Sequence, residues 1–161
     1  MERDWTGHEI AAEERRILDE TAHALGLVVM EFARLEFNLG MRIANELPRL
    51  EAKAGDTLFA QRIGILEDAA RRRFDKQPVM FANYLAWIVE ANALRAERNR
   101  MVHGRWTIEA NKGVARNVIG LPFEEKPSKS YQVEDLLAFR DRIAAASKAL
   151  QALPSVWGSS A

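Results

Sequence analysis

Residues 78–104, PVMFANYLAWIVEANALRAERNRMVHG, decide how the rest of the chain is read. Pro78 suits a first helical turn, where a missing N–H costs nothing, and Gly104 is a natural C-terminal stop, so the spacing predicts one helix from Pro78 to His103. Phe81, Leu85 and Ile88 start an apolar stripe whose continuation is Asn92, then Asn99 and His103, with Arg95 and Arg98 flanking it. An inward face that turns polar for three turns is costly unless its groups are paired, and such violations are where functional sites tend to lie.

Upstream, Leu18, Ala22, Leu25, Val29, Phe32, Leu39 and Ile43 recur at helical spacing between Glu9 and Leu47, before Pro48. This reads as one long helix or two nearly collinear ones, with Gly26 or Gly40 marking a bend or a close helix crossing. Glu36 takes the slot between Phe32 and Leu39 that the stripe would give to a hydrophobe, and a carboxylate there wants a cationic partner. Asp56 is a candidate N-cap for a second helix carrying Phe59, Ile63, Leu66, Ala70 and Phe74. That helix ends in Arg71-Arg72-Arg73, read as a solvated terminus matched to the helix dipole rather than a phosphate site.

Downstream of Gly104 the period changes. Residues 105–109 and 114–119, around Asn111-Lys112-Gly113, predict a β-hairpin whose Gly takes positive φ, the one β element expected. Val133 to Leu153 predicts a last helix through Leu136, Leu137, Ile143 and Leu150, with Glu134 and Asp135 in its first turn. The expected fold is therefore all-α: an up-down bundle of four to five helices with a short hairpin after the third long helix. Residues 9–153 form one domain between an N-terminal tail (1–8) and a C-terminal tail (154–161), with Trp157 to Ala161 frayed.

Composition narrows the function classes. Lys plus Arg and Asp plus Glu are each 23 in 161 residues, so a phosphate-binding role must come from a local cluster and not from a bulk field. There is no cysteine, which excludes disulfides and thiolate chemistry. The longest apolar run, Val79 to Val89, is about half of the roughly 20 residues a membrane span needs, and the charged N-terminus does not read as a secretory signal. The expectation is a cytoplasmic protein with no membrane association. His8, His23 and His103 are widely spaced and no Gly-rich phosphate loop is present, so neither a metal site nor any other cofactor is expected.

Taken singly, Glu36 also fits the edge of its stripe, and Arg95, Arg98, Arg100 and His103 a solvated helix terminus matched to the dipole. Their coincidence on one polar stripe favours a site. Asn99 and His103, four apart, share a helix face, and Arg98 must use its long side chain to reach the same ligand.

Arg98-Asn99-Arg100-Met101-Val102-His103 resembles the Arg-x4-His signature of the HEPN superfamily (higher eukaryotes and prokaryotes nucleotide-binding), with a polar residue directly after the Arg and Gly after the His. The segment Phe32-Ala33-Arg34-Leu35-Glu36-Phe37 on the first helix is similar to segments in related domains, and the resemblance covers about Glu9 to Leu153. It implies a HEPN-like helical fold and a metal-independent endoribonuclease of the kind met as toxins, antiphage effectors or RNA-processing enzymes, working as a homodimer with the site at the interface. By position, Arg98 and His103 would be the catalytic pair and Asn99 the accompanying polar residue. Glu36 is added from the stripe, and Asn92, Arg95, Arg100 and Arg105 are candidate phosphate contacts. The implied partners are RNA or a nucleotide ligand and, for a toxin, an antitoxin protein.

Cleavage by the 2′-hydroxyl needs a base, an acid and positive charge on the phosphorane. His103 suits the proton transfers and Arg98 the phosphate. One imidazole is too few for acid and base together, and a twofold dimer supplies the second. Trp106 reads as covering the core rather than stacking a base. Two rivals remain open: a non-catalytic HEPN-like module binding RNA, a nucleotide or a protein, and a plain dimerisation or adaptor domain whose polar stripe is an interfacial hydrogen-bond network.

Overall fold

Four helices and a small sheet make up the computed structural model, which describes residues 6–46, 58–120 and 127–156. Helices α1 (Gly7–Glu46), α2 (Phe59–Arg73) and α3 (Pro78–His103) are followed by strands β1 (Arg105–Glu109), β2 (Val114–Val118) and β3 (Ser128–Tyr131), then α4 (Val133–Ala152). No helix among the described residues is long and apolar enough to cross a membrane. By contact density the chain divides into two compact units, Met1–Met30 with Ala96–Arg142, and Glu31–Arg95 with Ile143–Ala161.

In the first unit, α1 begins two residues earlier than the apolar period predicts, because Thr6 and Glu9 form a reciprocal cap: the Thr6 N–H donates to Glu9 Oε2 (2.8 Å) and the Glu9 N–H to Thr6 Oγ1 (3.3 Å). The helix runs unbroken through Gly26. Its buried residues here are Ile17, Thr21, Ala24 and Val28. The expected stripe is thus shifted by one position. Leu18, Ala22 and Val29 face solvent, and only from Phe32 onward does the predicted stripe coincide with the core.

The hairpin forms in the register Arg105↔Val118 through Glu109↔Val114. Its connection is a 3-10 turn (Ala110–Lys112) closed by Gly113 at φ 65°, the positive value that favours glycine. It is not the whole of the β structure, however. Ser128–Tyr131 adds a third antiparallel strand to β2, giving the order β1-β2-β3. Four residues reading Ser-Lys-Ser-Tyr carry almost no apolar alternation, so an edge strand this short has no signal of its own. The adjoining α4 is capped by Asp135, whose Oδ2 accepts the Gln132 N–H at 2.8 Å.

The second unit holds more of the buried apolar residues. Phe32, Leu35, Leu39 and Ile43 of α1 are buried, as are Phe59, Ile63, Leu66, Ala69 and Ala70 of α2, and Tyr84, Trp87, Ile88, Ala91 and Leu94 of α3. The α2 stripe is the one expected, but Asp56 lies outside the described residues, and Leu58 precedes the helix at the N-cap position. Phe32 meets Phe59 with ring centroids 5.0 Å apart, and Phe74 stacks on Tyr84 at 5.7 Å. Gly40 causes no break in α1; a Cβ there would lie 3.0 Å from Arg62 Nη1, the far end of a flexible side chain.

Arg42 ties the C-terminal end of α4 to this core. Its guanidinium donates to the carbonyls of Leu150, Leu153 and Pro154 and to the Tyr84 hydroxyl, which itself donates to Pro154. A helix C-terminus leaves its last carbonyls without intrahelical donors, and a planar cation with five N–H groups satisfies several at once. Trp157 to Ala161 lie outside the described residues. Replacing Arg42 by Ala removes the cation from these part-buried acceptors and should cost about 3 kcal/mol, given about 1.5–3 kcal/mol per charge-assisted hydrogen bond and incomplete additivity. Urea unfolding would show it as a lowered midpoint, with Arg42→Lys recovering only a minor part.

Candidate functional site

The last two turns of α3 carry Arg98, Asn99, Arg100 and His103, and the chain passes through Gly104 alone into β1 at Arg105. His103 is exposed, whereas Arg98, Asn99 and Arg100 are half-buried. Arg98 Nη1 donates to Asn99 Oδ1 at 3.0 Å, so the amide holds one edge of the guanidinium. With i and i+4 on one helix face, the amide and the imidazole stand one turn apart.

What fixes this end of the helix is Asn117, completely buried on β2. In the amide orientation that satisfies both its ends, Nδ2 donates to the Arg100 carbonyl (3.3 Å) and Oδ1 accepts from Trp106 Nε1 (3.1 Å). The indole N–H also reaches the Met101 carbonyl at 2.9 Å, and the Gly104 N–H returns to Arg100 at 2.9 Å. Two terminal carbonyls of α3 are thereby satisfied by side chains. Gly104 does end the helix, but not by taking positive φ. It is glycine because a Cβ would overlap the Asn117 amide. Trp106 is half-buried, tilted against Tyr131 at 5.4 Å, in the structural role expected of it.

A second network holds β3 to the same turns. Glu97 accepts from Lys129 Nζ (2.5 Å) and from the Tyr131 hydroxyl (2.6 Å). Burial pushes the Glu97 carboxyl upward, but these two hydrogen bonds and the charges of Lys129 and Arg100 outweigh it, and its pKa falls below the ordinary carboxylate value. Tyr131 is driven well above its ordinary value, first by burial and then by the bond to Glu97. Arg100 donates to the Pro127 carbonyl at 3.3 Å, so this cation, expected as a phosphate contact, serves the scaffold here.

The second unit holds the other expected site residues. On α1 the inward position is Leu35, fully buried, and Glu36 beside it is half-buried. The stripe continues from Phe32 by three and then four residues, which places Glu36 at its edge and corrects its reading as an inward acid. A cation does approach, but Arg62 Nη1 donates to the Glu36 main-chain carbonyl, at 3.1 Å. On α3 the core positions are Tyr84, Trp87, Ile88, Ala91 and Leu94, while Phe81, Leu85, Asn92 and Arg95 are half-buried alongside them. The polar stripe is therefore a flank of the helix rather than a continuation of its buried face. Arg95 Nε is shut from solvent with no acceptor among the described residues.

No family model, curated protein or solved structure matches the chain. Among the described residues no group of three or more His, Asp or Glu side chains is placed to hold a metal ion. What the helix end offers chemically is an exposed imidazole, a guanidinium held by an amide, and a rigid base beneath them. Sequence reasoning passed over Glu97, Asn117, Lys129 and Tyr131. Only Asn117 carried a signal, being a polar residue two along from Ala115 on the strand's inward alternation.

Two outcomes follow for this end of the molecule. Gly104→Ala should lower stability by about 2 kcal/mol through overpacking, and adding Asn117→Ala should cost less than the sum of the two single changes, measured by a double-mutant cycle in urea. Glu97, with its pKa depressed on folding, contributes stability that is present above the unfolded value near 4.3 and is lost as pH falls through the folded one. Tyr131, with its pKa raised, contributes stability that is present below about pH 10 and is lost on further rise. Unfolding titrations across pH should show Glu97→Gln flattening the acid limb and Tyr131→Phe the alkaline limb.

Proposed function

We propose that this chain is a metal-independent endoribonuclease of the HEPN kind, in which Arg98 and His103 act on the scissile phosphate. The observation that carries the reading is the exposed His103 imidazole on the final turn of α3, one turn from the Asn99 amide that holds Arg98. In the reaction the ribose 2′-oxygen attacks phosphorus and the P–O5′ bond breaks. The 2′-hydroxyl proton passes to a neutral imidazole, and a protonated imidazole supplies a proton to the departing 5′-oxygen. The products are a 2′,3′-cyclic phosphate and a 5′-hydroxyl.

Two imidazoles are needed and each chain offers one at this position, so the working unit is a twofold homodimer with two copies of the motif at one cleft. Arg98 would neutralise the phosphorane through its fork of N–H donors, and Asn99 would keep that fork oriented. Asn92, Arg95 and Arg105 are left as candidate RNA-backbone contacts, while Glu36 has no role in the proposal. A toxin or antiphage effector restrained by an antitoxin protein in the cytoplasm is the setting the resemblance suggests.

The half-burial of Arg98 and its bond to Asn99 also favour a second reading, a non-catalytic module in which the pair binds RNA or a nucleotide. The distinguishing experiment is incubation with mixed RNA in EDTA. Cleavage leaving cyclic-phosphate ends is expected, reduced by about 10²-fold or more in His103→Ala and Arg98→Ala proteins that retain their helical circular dichroism. RNA retained on the protein but uncut would move the assignment to the binding module. Activity undiminished in both variants would reject the catalytic pair.

A further inference from the structure

The first half of α1 has two apolar faces, and the chain's own fold covers one. Ile17, Thr21, Ala24 and Val28 are buried, but Leu18 is 49% exposed, Val29 41% and Met30 71%, with Ala22 and Gly26 exposed beside them. From Thr21 to Met30 the sequence TAHALGLVVM holds no Asp, Glu, Lys or Arg, and Glu20 and Glu31 bound it. Contiguous exposed apolar surface of this kind marks an interaction site.

Gly26 is an independent sign. Glycine inside a helix destabilises it relative to alanine, and is kept where a backbone or ligand must come close. Within this chain nothing lies within 4 Å of where a Gly26 Cβ would be, so its own fold does not demand the missing side chain.

We infer that this face, Leu18, Ala22, Gly26, Val29 and Met30, is the contact through which two copies of the chain pair about a twofold axis near Gly26. A surface that meets itself across such an axis has to be free of unpaired charge there, because each charge would face its own like. Residues 22–30, the span symmetric about Gly26, hold no Asp, Glu, Lys or Arg and meet that condition. The sizes are self-complementary too. In an antiparallel pair crossing at Gly26, Met30 lies four residues to one side and Ala22 four to the other, so the largest side chain of each copy falls on a small residue of its mate. Covering Leu18, Val29 and Met30 removes roughly 300 Å² of apolar surface per copy, a fitting central patch for an interface of about 800 Å² per partner whose rim is polar. The inference deepens the ribonuclease reading, which needs a second copy, but it rests on α1 alone.

Sedimentation of the full chain over a range of concentrations tests it. The expected result is a dimer for the wild type and a dissociation constant raised about a hundredfold or more by Met30→Asp, with helical circular dichroism unchanged. Gly26→Leu, whose side chain has open space in the single chain, should also favour the monomer. A wild type that stays monomeric up to its solubility limit overturns the inference, as does a Met30→Asp protein that remains dimeric. RNA cleavage read on the same samples separates the two ideas: an inactive wild-type dimer overturns only the ribonuclease reading, and an active wild type whose Met30→Asp form stays an active dimer overturns only the interface.

Discussion

A single buried amide governs the end of α3. Asn117 is fully enclosed on β2, and its two hydrogen-bonding ends are spent on the Arg100 carbonyl and the Trp106 indole. An unpaired amide in that position would cost a few kcal/mol, so the helix terminus and the first strand have to arrive where the amide needs them. Gly104 follows from the same constraint, because the amide occupies the volume of its absent side chain. The helix therefore turns into β1 through one residue, without a loop. His103 stands next to the constrained glycine, so the residue with the greatest chemical potential here is positioned by residues that the six-residue motif does not include.

The charges around this terminus divide between scaffold and chemistry. Glu97 binds Lys129 and Tyr131, and Arg100 gives its side chain to Pro127 and its carbonyl to Gly104 and Asn117. These groups lock β3 and β2 against the helix. Arg98, half-buried, donates to Asn99, and His103 stands in solvent. For a chain with balanced formal charge, such a local arrangement is the way a phosphate would be met, since no long-range field gathers one.

Much of the fold could be read from the chain because its strongest signals were local. Pro78, Gly104 and the apolar period bounded α3 at the residues where it begins and ends, and the α2 stripe from Phe59 to Phe74 is buried as its spacing requires. The third strand could not be read, because Ser128–Tyr131 is held by β2 and Glu97 rather than by any alternation of its own. The site was legible only as a motif. Arg98, Asn99 and His103 do cluster on the last turns of α3, but the inward acid was misplaced, since Glu36 is one step along the helix from Leu35, and one step on a helix is about 100°. The supporting polar residues lie 14 or more positions from the motif, or look like ordinary surface residues, and periodicity has no access to such pairings.

The displaced stripe on α1 shows why apolar period and core are not the same thing. Periodicity records every face from which water is excluded in the working molecule, whether by the chain itself or by another. Where the two faces adjoin, as with Ile17 beside Leu18 and Val28 beside Val29, the alternatives differ by one residue and either gives a regular three-to-four spacing. Folding chooses between them by what the rest of the chain can cover. The residues left over are still apolar, and selection against aggregation would remove them from a surface that always met water. Their presence, with an uncharged ten-residue window and a glycine that its own fold does not need, fits a surface that spends its working life covered.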